Sequence, residues 1–195
     1  MRWDVHGERS IYTSEWVSLT LVDVEIPAIG DRPSRRFEHH VVRSPAPAAG
    51  VVVIDEIDGV DHVLLLWRHR FITDTWGWEV PAGGLDPGEA SVDGARREVL
   101  EETGRQVGEL THLVDYYPAN GLSDHRFDLY LARGASHVGE PSDPSESERI
   151  EWVPLEVVRD AVVSGRITDG LSVTALVWYF AFGDPSGGII PDPAE

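Results

Sequence analysis

The chain has 195 residues and a formal net charge of −18, from 34 acidic against 16 basic side chains, with 42% hydrophobic residues and no cysteine. That length fits one ordinary domain, at most with a small appendage, and the apolar fraction suffices for a core. The missing thiols exclude disulfides and thiolate metal sites, and a field of this sign argues against a general DNA or RNA binder. It also repels free polyphosphate, so an acidic protein that handles phosphates needs local arginines or a bound metal. No basic segment followed by an apolar run opens the chain, and the longest apolar stretch, Leu171 to Phe182, is too short to span a bilayer. The expected location is cytoplasmic.

Residues 11–26 are rich in β-branched and aromatic side chains and predict a strand. Pro27, Gly30, Asp31 and Pro33 mark a turn, and 37–43 a returning strand. A Pro/Ala loop follows over 44–50. Residues 51–57 and 61–68 predict a hairpin around Asp58–Gly59, and 76–80 a short strand before a Gly-rich segment. A helix is expected from about Glu89 to Thr103, with Gly104 as its C-terminal cap. Strands are expected at 107–117, 126–133 and 151–154, a mobile loop at 134–148, and helices at 155–164 and 171–182. This alternation predicts a mixed α/β domain with helices on both faces of a sheet. The expected division is an N-terminal strand element over 1–48, a main domain over 49–183 and a flexible tail over 184–195.

The chemistry concentrates in Gly83-Gly-Leu-Asp-Pro-Gly-Glu89, seven further residues, then Arg97-Glu-Val-Leu-Glu-Glu-Thr-Gly104. On a helix, residues three and four apart share a face, so Glu98, Glu101 and Glu102 project to one side. Carboxylates so close raise one another's pKa unless a cation joins them, and Mg²⁺ favours such oxygens together with substrate phosphates. Arg97 reaches either Glu101 at i+4 or Glu89; Glu89 is favoured, because the helical carboxylates are then free for metal. The bland alternative is a solvated acidic helix face.

The spacing decides between them. The segment resembles the Nudix box, with its seven fixed positions filled by Gly83, Glu89, Arg97, Glu98, Glu101, Glu102 and Gly104. Ordinary residue frequencies give a chance match of about one in 10⁸ per position. Val99 suits its aliphatic slot; Arg105 departs from the last one, where an arginine stem can still cover apolar surface. The resemblance implies a Nudix fold, a mixed β-sheet sandwiched between helices with the box as loop–helix–loop, preceded here by an N-terminal antiparallel sheet. It implies Glu98 and Glu102 as principal ligands of Mg²⁺, with Mn²⁺ as the alternative ion. It makes Glu101 a further ligand or water-positioning group, and adds the carbonyl of Ala82 to the metal shell. Glu89 and Arg97 become the pair that fixes the helix.

Beyond the box, Arg68-His-Arg70 followed by Trp78-Glu-Val-Pro-Ala-Gly83 is similar to the ADP-ribose pyrophosphatase branch, as is Tyr117-Pro-Ala-Asn-Gly-Leu-Ser-Asp124. That branch usually ends the latter loop in Asp-Glu, where this chain has Asp124-His125. The resemblance spans roughly residues 11–180. It implies a small-molecule nucleotide substrate, most simply ADP-ribose or a nucleotide sugar, cleaved to AMP and a sugar phosphate. Arg70 would bind a diphosphate oxygen, and Glu79 would support the metal or cap a strand end. In the branch's homodimer, aromatic rings from two subunits sandwich adenine; the matching positions are Trp16 and Phe37. A loop glutamate before the last strand is the base, Glu148 fitting better than Glu146, while other Nudix branches use a helix glutamate, here Glu101. The rivals are another substrate, such as a dinucleotide or nucleoside triphosphate, and a non-catalytic nucleotide sensor. Ser123-Asp124-His125 is not a triad, since adjacent residues cannot adopt that geometry, and His39 and His40 would point to opposite strand faces.

Overall fold

Strand alternation and two turn glycines organise most of this chain. The computed structural model describes residues 1–142 and 146–183, which cluster into two units. The tail expected over 184–195 lies outside the described residues.

The first unit comprises Met1–Pro47 with Tyr117–Arg126. Its three-stranded antiparallel sheet runs in the order β1 (Asp4–Thr13), β2 (Ser18–Ile26), β3 (Arg35–Arg43). The single strand expected over 11–26 is therefore two strands. The chain turns at Ser14, whose Oγ accepts the amides of Trp16 and Val17, while its own amide donates to the Val17 carbonyl at 2.9 Å. All of β1 is exposed, so its first seven residues, Asp-Val-His-Gly-Glu-Arg-Ser, carry no alternating burial pattern to read. Ion pairs join the strands: Arg9 to Glu38, Arg36 to Asp23 and Arg43 to Glu8.

In the second unit a mixed sheet has the order β12 (Arg149–Pro154), β5 (Val60–Arg70), β4 (Ala48–Ile57), β10 (Phe127–Arg133), β9 (Leu110–Tyr116). β4 and β10 are parallel, and the other neighbours are antiparallel. β6 (Thr75–Glu79) pairs with β5, and β7 (Ala82–Gly84) with β4. A small second sheet joins β8 (Arg105–Val107) to β11 (Ala135–His137), a strand inside the stretch expected to be loop. The β4–β5 hairpin turns through Asp58 at φ 53° and Gly59 at φ 77°, the left-handed pair that a two-residue turn requires.

Alternation along β4 feeds two cores. Val52 and Ile54 pack with Leu65 and Leu129 against α2 (Leu155–Val163) and α3 (Gly170–Phe182). Ala49, Val51 and Val53 pack on the other side with Tyr130 and with Ala95 and Val99 of α1 (Ser91–Thr103). The sheet is thus sandwiched between helices, as expected. Each fully buried Val, Leu or Ile contributes about 1.5–3 kcal/mol, so both helical layers are held by side chains from the same strands. Among the described residues no helix is long and apolar enough to cross a membrane.

Candidate active site

Helix α1 presents the acidic side chains, and its two ends are fixed by different means. Before it, Gly88 at φ 81° turns the chain, so the helix starts at Ser91 and leaves Glu89 outside. Glu89 accepts the Asp86 amide at 2.9 Å and takes Arg97 through both carboxylate oxygens at 3.0 and 2.9 Å. After it, Gly104 adopts φ 62° and its amide closes on the Leu100 carbonyl, the left-handed cap predicted from sequence. Arg105, in the slot expected to be aliphatic, lays its guanidinium 5.8 Å from the ring centroid of Trp152 and donates to the Thr103 carbonyl.

Glu98 and Glu102 lie one turn apart and face the Gly83 loop. A Cβ on Gly83 would overlap the Glu98 carboxylate, so glycine is what lets that acid lie against the loop. Glu102 is buried at 4% exposure. Its Oε1 accepts Arg68 Nη2 at 2.6 Å and its Oε2 accepts the Ala82 amide at 2.9 Å. It is the amide of Ala82, rather than its carbonyl, that meets the helix acid. Burial pushes the Glu102 carboxyl up to about 7 despite Arg68 and the Ala82 amide, and Glu98 adds repulsion. Burial also raises Glu98, reinforced by the charges of Glu101 and Glu146. Glu101 stands further out, 45% exposed.

Arg97 takes the favoured partner, Glu89, and the i+4 alternative, Glu101, together. Its Nη1 donates to Glu98 at 2.6 Å as well as to Glu101 at 2.9 Å. Five donors in a planar fork allow one guanidinium to hold several acids. Consequently the three helix carboxylates are drawn to two arginines, and among the described residues no three acidic or histidine side chains converge on one point.

Arg68 is the residue the sequence reading passed over. It is buried, donates to Glu102 and to Ser147 Oγ at 3.2 Å, and stands 4.0 Å from Glu79. The only hint was alternation: Arg68 and Arg70 share a strand face, and the motif gave no means of telling which was deeper. Arg70 instead clasps buried Glu79 with bonds of 2.6 to 3.2 Å. Glu79 is neither solvated nor an amide cap; it sits between two guanidinium groups. A chain Arg70–Glu79–Arg68–Glu102 therefore links β5 and β6 to α1.

Of the loop glutamates, both Glu146 and Glu148 are exposed. Glu146 lies near enough to Glu98 for its charge to raise that carboxyl. Glu148 is stapled to β5 by its amide, which donates to the Trp67 carbonyl at 2.9 Å. In the first unit, Trp16 is 78% exposed. Phe37 is half-buried, edge-on to Trp3 and His39 with Arg35 over its ring at 5.0 Å. Asp124 accepts Arg43 at 3.1 Å and the Ser44 amide at 3.0 Å, so it pins the end of β3. Ser123 Oγ accepts the His125 amide, which leaves no triad.

Residues 44–170 match the family model of the NUDIX domain. The chain belongs to the Nudix family. It is 37% identical over 177 residues, 90% of this chain and 82% of the other, to the CMP-5'-(N-acetyl-N-hydroxy-3-aminopropyl)phosphonate hydrolase of Streptomyces rubellomurinus. It is 31% identical over 140 residues, 70% of this chain and 68% of the other, to the ADP-ribose pyrophosphatase of Mycobacterium tuberculosis. A crystal structure of an ADP compounds hydrolase shares the fold with a TM-score of 0.74 at 20% identity, over 93% of this chain and 94% of that one. The chain is thus a Nudix pyrophosphohydrolase with ADP-ribose pyrophosphatases among its relatives.

The site suits a hard divalent ion. Its donor set is all carboxylate oxygen, and burial raises both the half-buried Glu98 and the buried Glu102 even with arginines beside them.

Proposed function

We propose that this Nudix enzyme hydrolyses the phosphoanhydride that joins a nucleoside 5'-monophosphate to a second phosphoryl group, with ADP-ribose as the first substrate and AMP and ribose 5-phosphate as products. The observation that carries this is the placement of half-buried Glu98 and buried Glu102 on adjacent turns of α1, both elevated in pKa, beside the arginines Arg68 and Arg97. Mg²⁺ held by Glu98 and Glu102, with Glu101 at its edge, would neutralise the diphosphate and acidify a water. Arg70 is the more exposed of the two arginines that flank Glu79, its side chain 52% accessible against 7% for Arg68, and it turns a donor toward a phosphate oxygen when it shares Glu79 with Arg68. A loop glutamate takes the proton of the attacking water: Glu148, whose backbone is fixed to β5 by its amide, with Glu146, whose charge reaches Glu98, and the helix acid Glu101 as the alternatives. One P–O bond to the bridging oxygen breaks as the water oxygen bonds to phosphorus. Trp16 and Phe37 are the rings proposed for the base, in a homodimer built through the β1–β3 sheet.

A second reading follows from the Streptomyces relative: the group beyond the anhydride is a phosphonate and the nucleotide is CMP. The two are separated by supplying Mg²⁺ with ADP-ribose, UDP-glucose, a dinucleotide, a nucleoside triphosphate and a CMP-linked alkylphosphonate, and quantifying the released nucleoside monophosphate. A kcat/KM for ADP-ribose well above the others supports the first reading. Preference for the CMP-linked compound supports the second. Metal-independent binding without turnover of any of them contradicts both.

A further inference from the structure

The face of the sheet opposite the carboxylates carries a second site. Trp67 and Trp78 are the chain neighbours of Arg68 and Glu79, and strand alternation turns them the other way. There they lie cross-strand from each other with ring centroids 5.2 Å apart. Trp76 stacks on Trp67 at 6.1 Å with 15° between planes, and His69 closes on Trp76 at 5.2 Å. This aromatic platform borders a cavity of about 290 Å³ beneath α2, walled by Trp67, Trp78, Val157, Ala161, Ile167 and Arg166.

The charge in that wall is what identifies an occupant. Arg166 donates from Nε to Ser164 Oγ at 2.9 Å and makes no ion pair among the described residues, in a chain with 34 acidic side chains against 16 basic. Arg149 lies over both indoles, 5.6 and 5.8 Å from their centroids, with its own acid, Glu151, at 3.7 Å. An arginine in the wall of an apolar, indole-lined space favours a ligand with a flat apolar body and an anionic end. Free phosphate would leave the rings unused, and a neutral apolar body would leave Arg166 unused.

We propose that this cavity binds a small aryl anion, separately from the carboxylate site. The test is calorimetric titration of the full chain with 2-naphthoate and with neutral 2-naphthamide, without divalent ion or nucleotide, so that its outcome is independent of hydrolysis. Saturable binding of one naphthoate per chain is expected, with the amide weaker by about tenfold, the effect of one charge-assisted hydrogen bond. Arg166→Gln should remove that preference, and Val157→Trp, at a half-exposed position, should close the cavity and abolish binding while circular dichroism stays unchanged. Absence of saturable binding to the wild-type chain overturns the proposal, as does binding indifferent to both substitutions. A change of sedimentation in Val157→Trp without naphthoate binding to the wild type would instead make this face a contact between copies of the chain.

Discussion

Arg68 and Arg70 are two residues apart and belong to one ionic chain, yet they differ in burial, and this difference sets what each contributes. Arg68, 7% exposed at its side chain, neutralises buried Glu102. Removing it leaves an uncompensated acid in the interior, a change that costs about 3–5 kcal/mol. Arg70 is half-exposed, and Glu79 keeps Arg68 at 4.0 Å when Arg70 is lost. Urea unfolding should therefore show Arg68→Ala much less stable than Arg70→Ala, and equal losses would refute the burial argument. The same neighbourhood fixes a pH dependence. The folded Glu102 carboxyl titrates near 7, above its ordinary 4.5, so the folded state binds the extra proton between those values. Its contribution to stability is then greatest below about pH 4.5 and declines as pH rises through 7. Glu98 shifts in the same direction. Without divalent ion the melting temperature should carry a component that falls over that window, and added Mg²⁺ should raise it more at pH 8 than at pH 5. A stabilisation by Mg²⁺ that is larger at pH 5 would contradict the assignment.

At the scale of elements, Gly104, which ends α1, and Gly83, in β7 against it, do different work. Gly104 holds a left-handed cap, and a Cβ there would overlap the Gly139 carbonyl oxygen. Gly104→Ala combines left-handed strain of about 1–2 kcal/mol with that clash, and should lower the urea midpoint clearly. Gly83 has no such strain; its missing side chain makes room for the Glu98 carboxylate. Gly83→Ala should leave the melting temperature close to wild type and reduce kcat severely. If both substitutions alter stability and turnover in the same proportion, the loop has no separate role in placing Glu98. The box helix, its cap and the β4–β5 turn were legible in the sequence because each rests on local chemistry: spacing on a helix, or a residue that tolerates positive φ. β1 was not, because a wholly exposed strand leaves no alternation to read. The break at Ser14 escaped for a related reason: Trp16 and Val17 continue the apolar run while a serine hydroxyl turns the backbone.

For the molecule as a whole, the carboxylate face and the sandwich of α1 against α2 and α3 were readable from one motif and from the interspersal of strands with helices along the chain. The ionic chain through Arg68 was not, since it joins β5, β6 and α1, and depth at a strand end depends on tertiary packing. Nor does sequence spacing tell that Arg97 shares itself among Glu89, Glu98 and Glu101. These arginines hold the acids in place, and metal-assisted hydrolysis requires that two of those acids do the binding. The most direct measurement is Mg²⁺-dependent turnover of Glu98→Gln and Glu102→Gln, each checked for an unchanged fold by circular dichroism. Both should lose roughly 10²–10⁴ in kcat, the equivalent of several kcal/mol of transition-state stabilisation. Near-wild-type turnover in both folded variants would contradict the site.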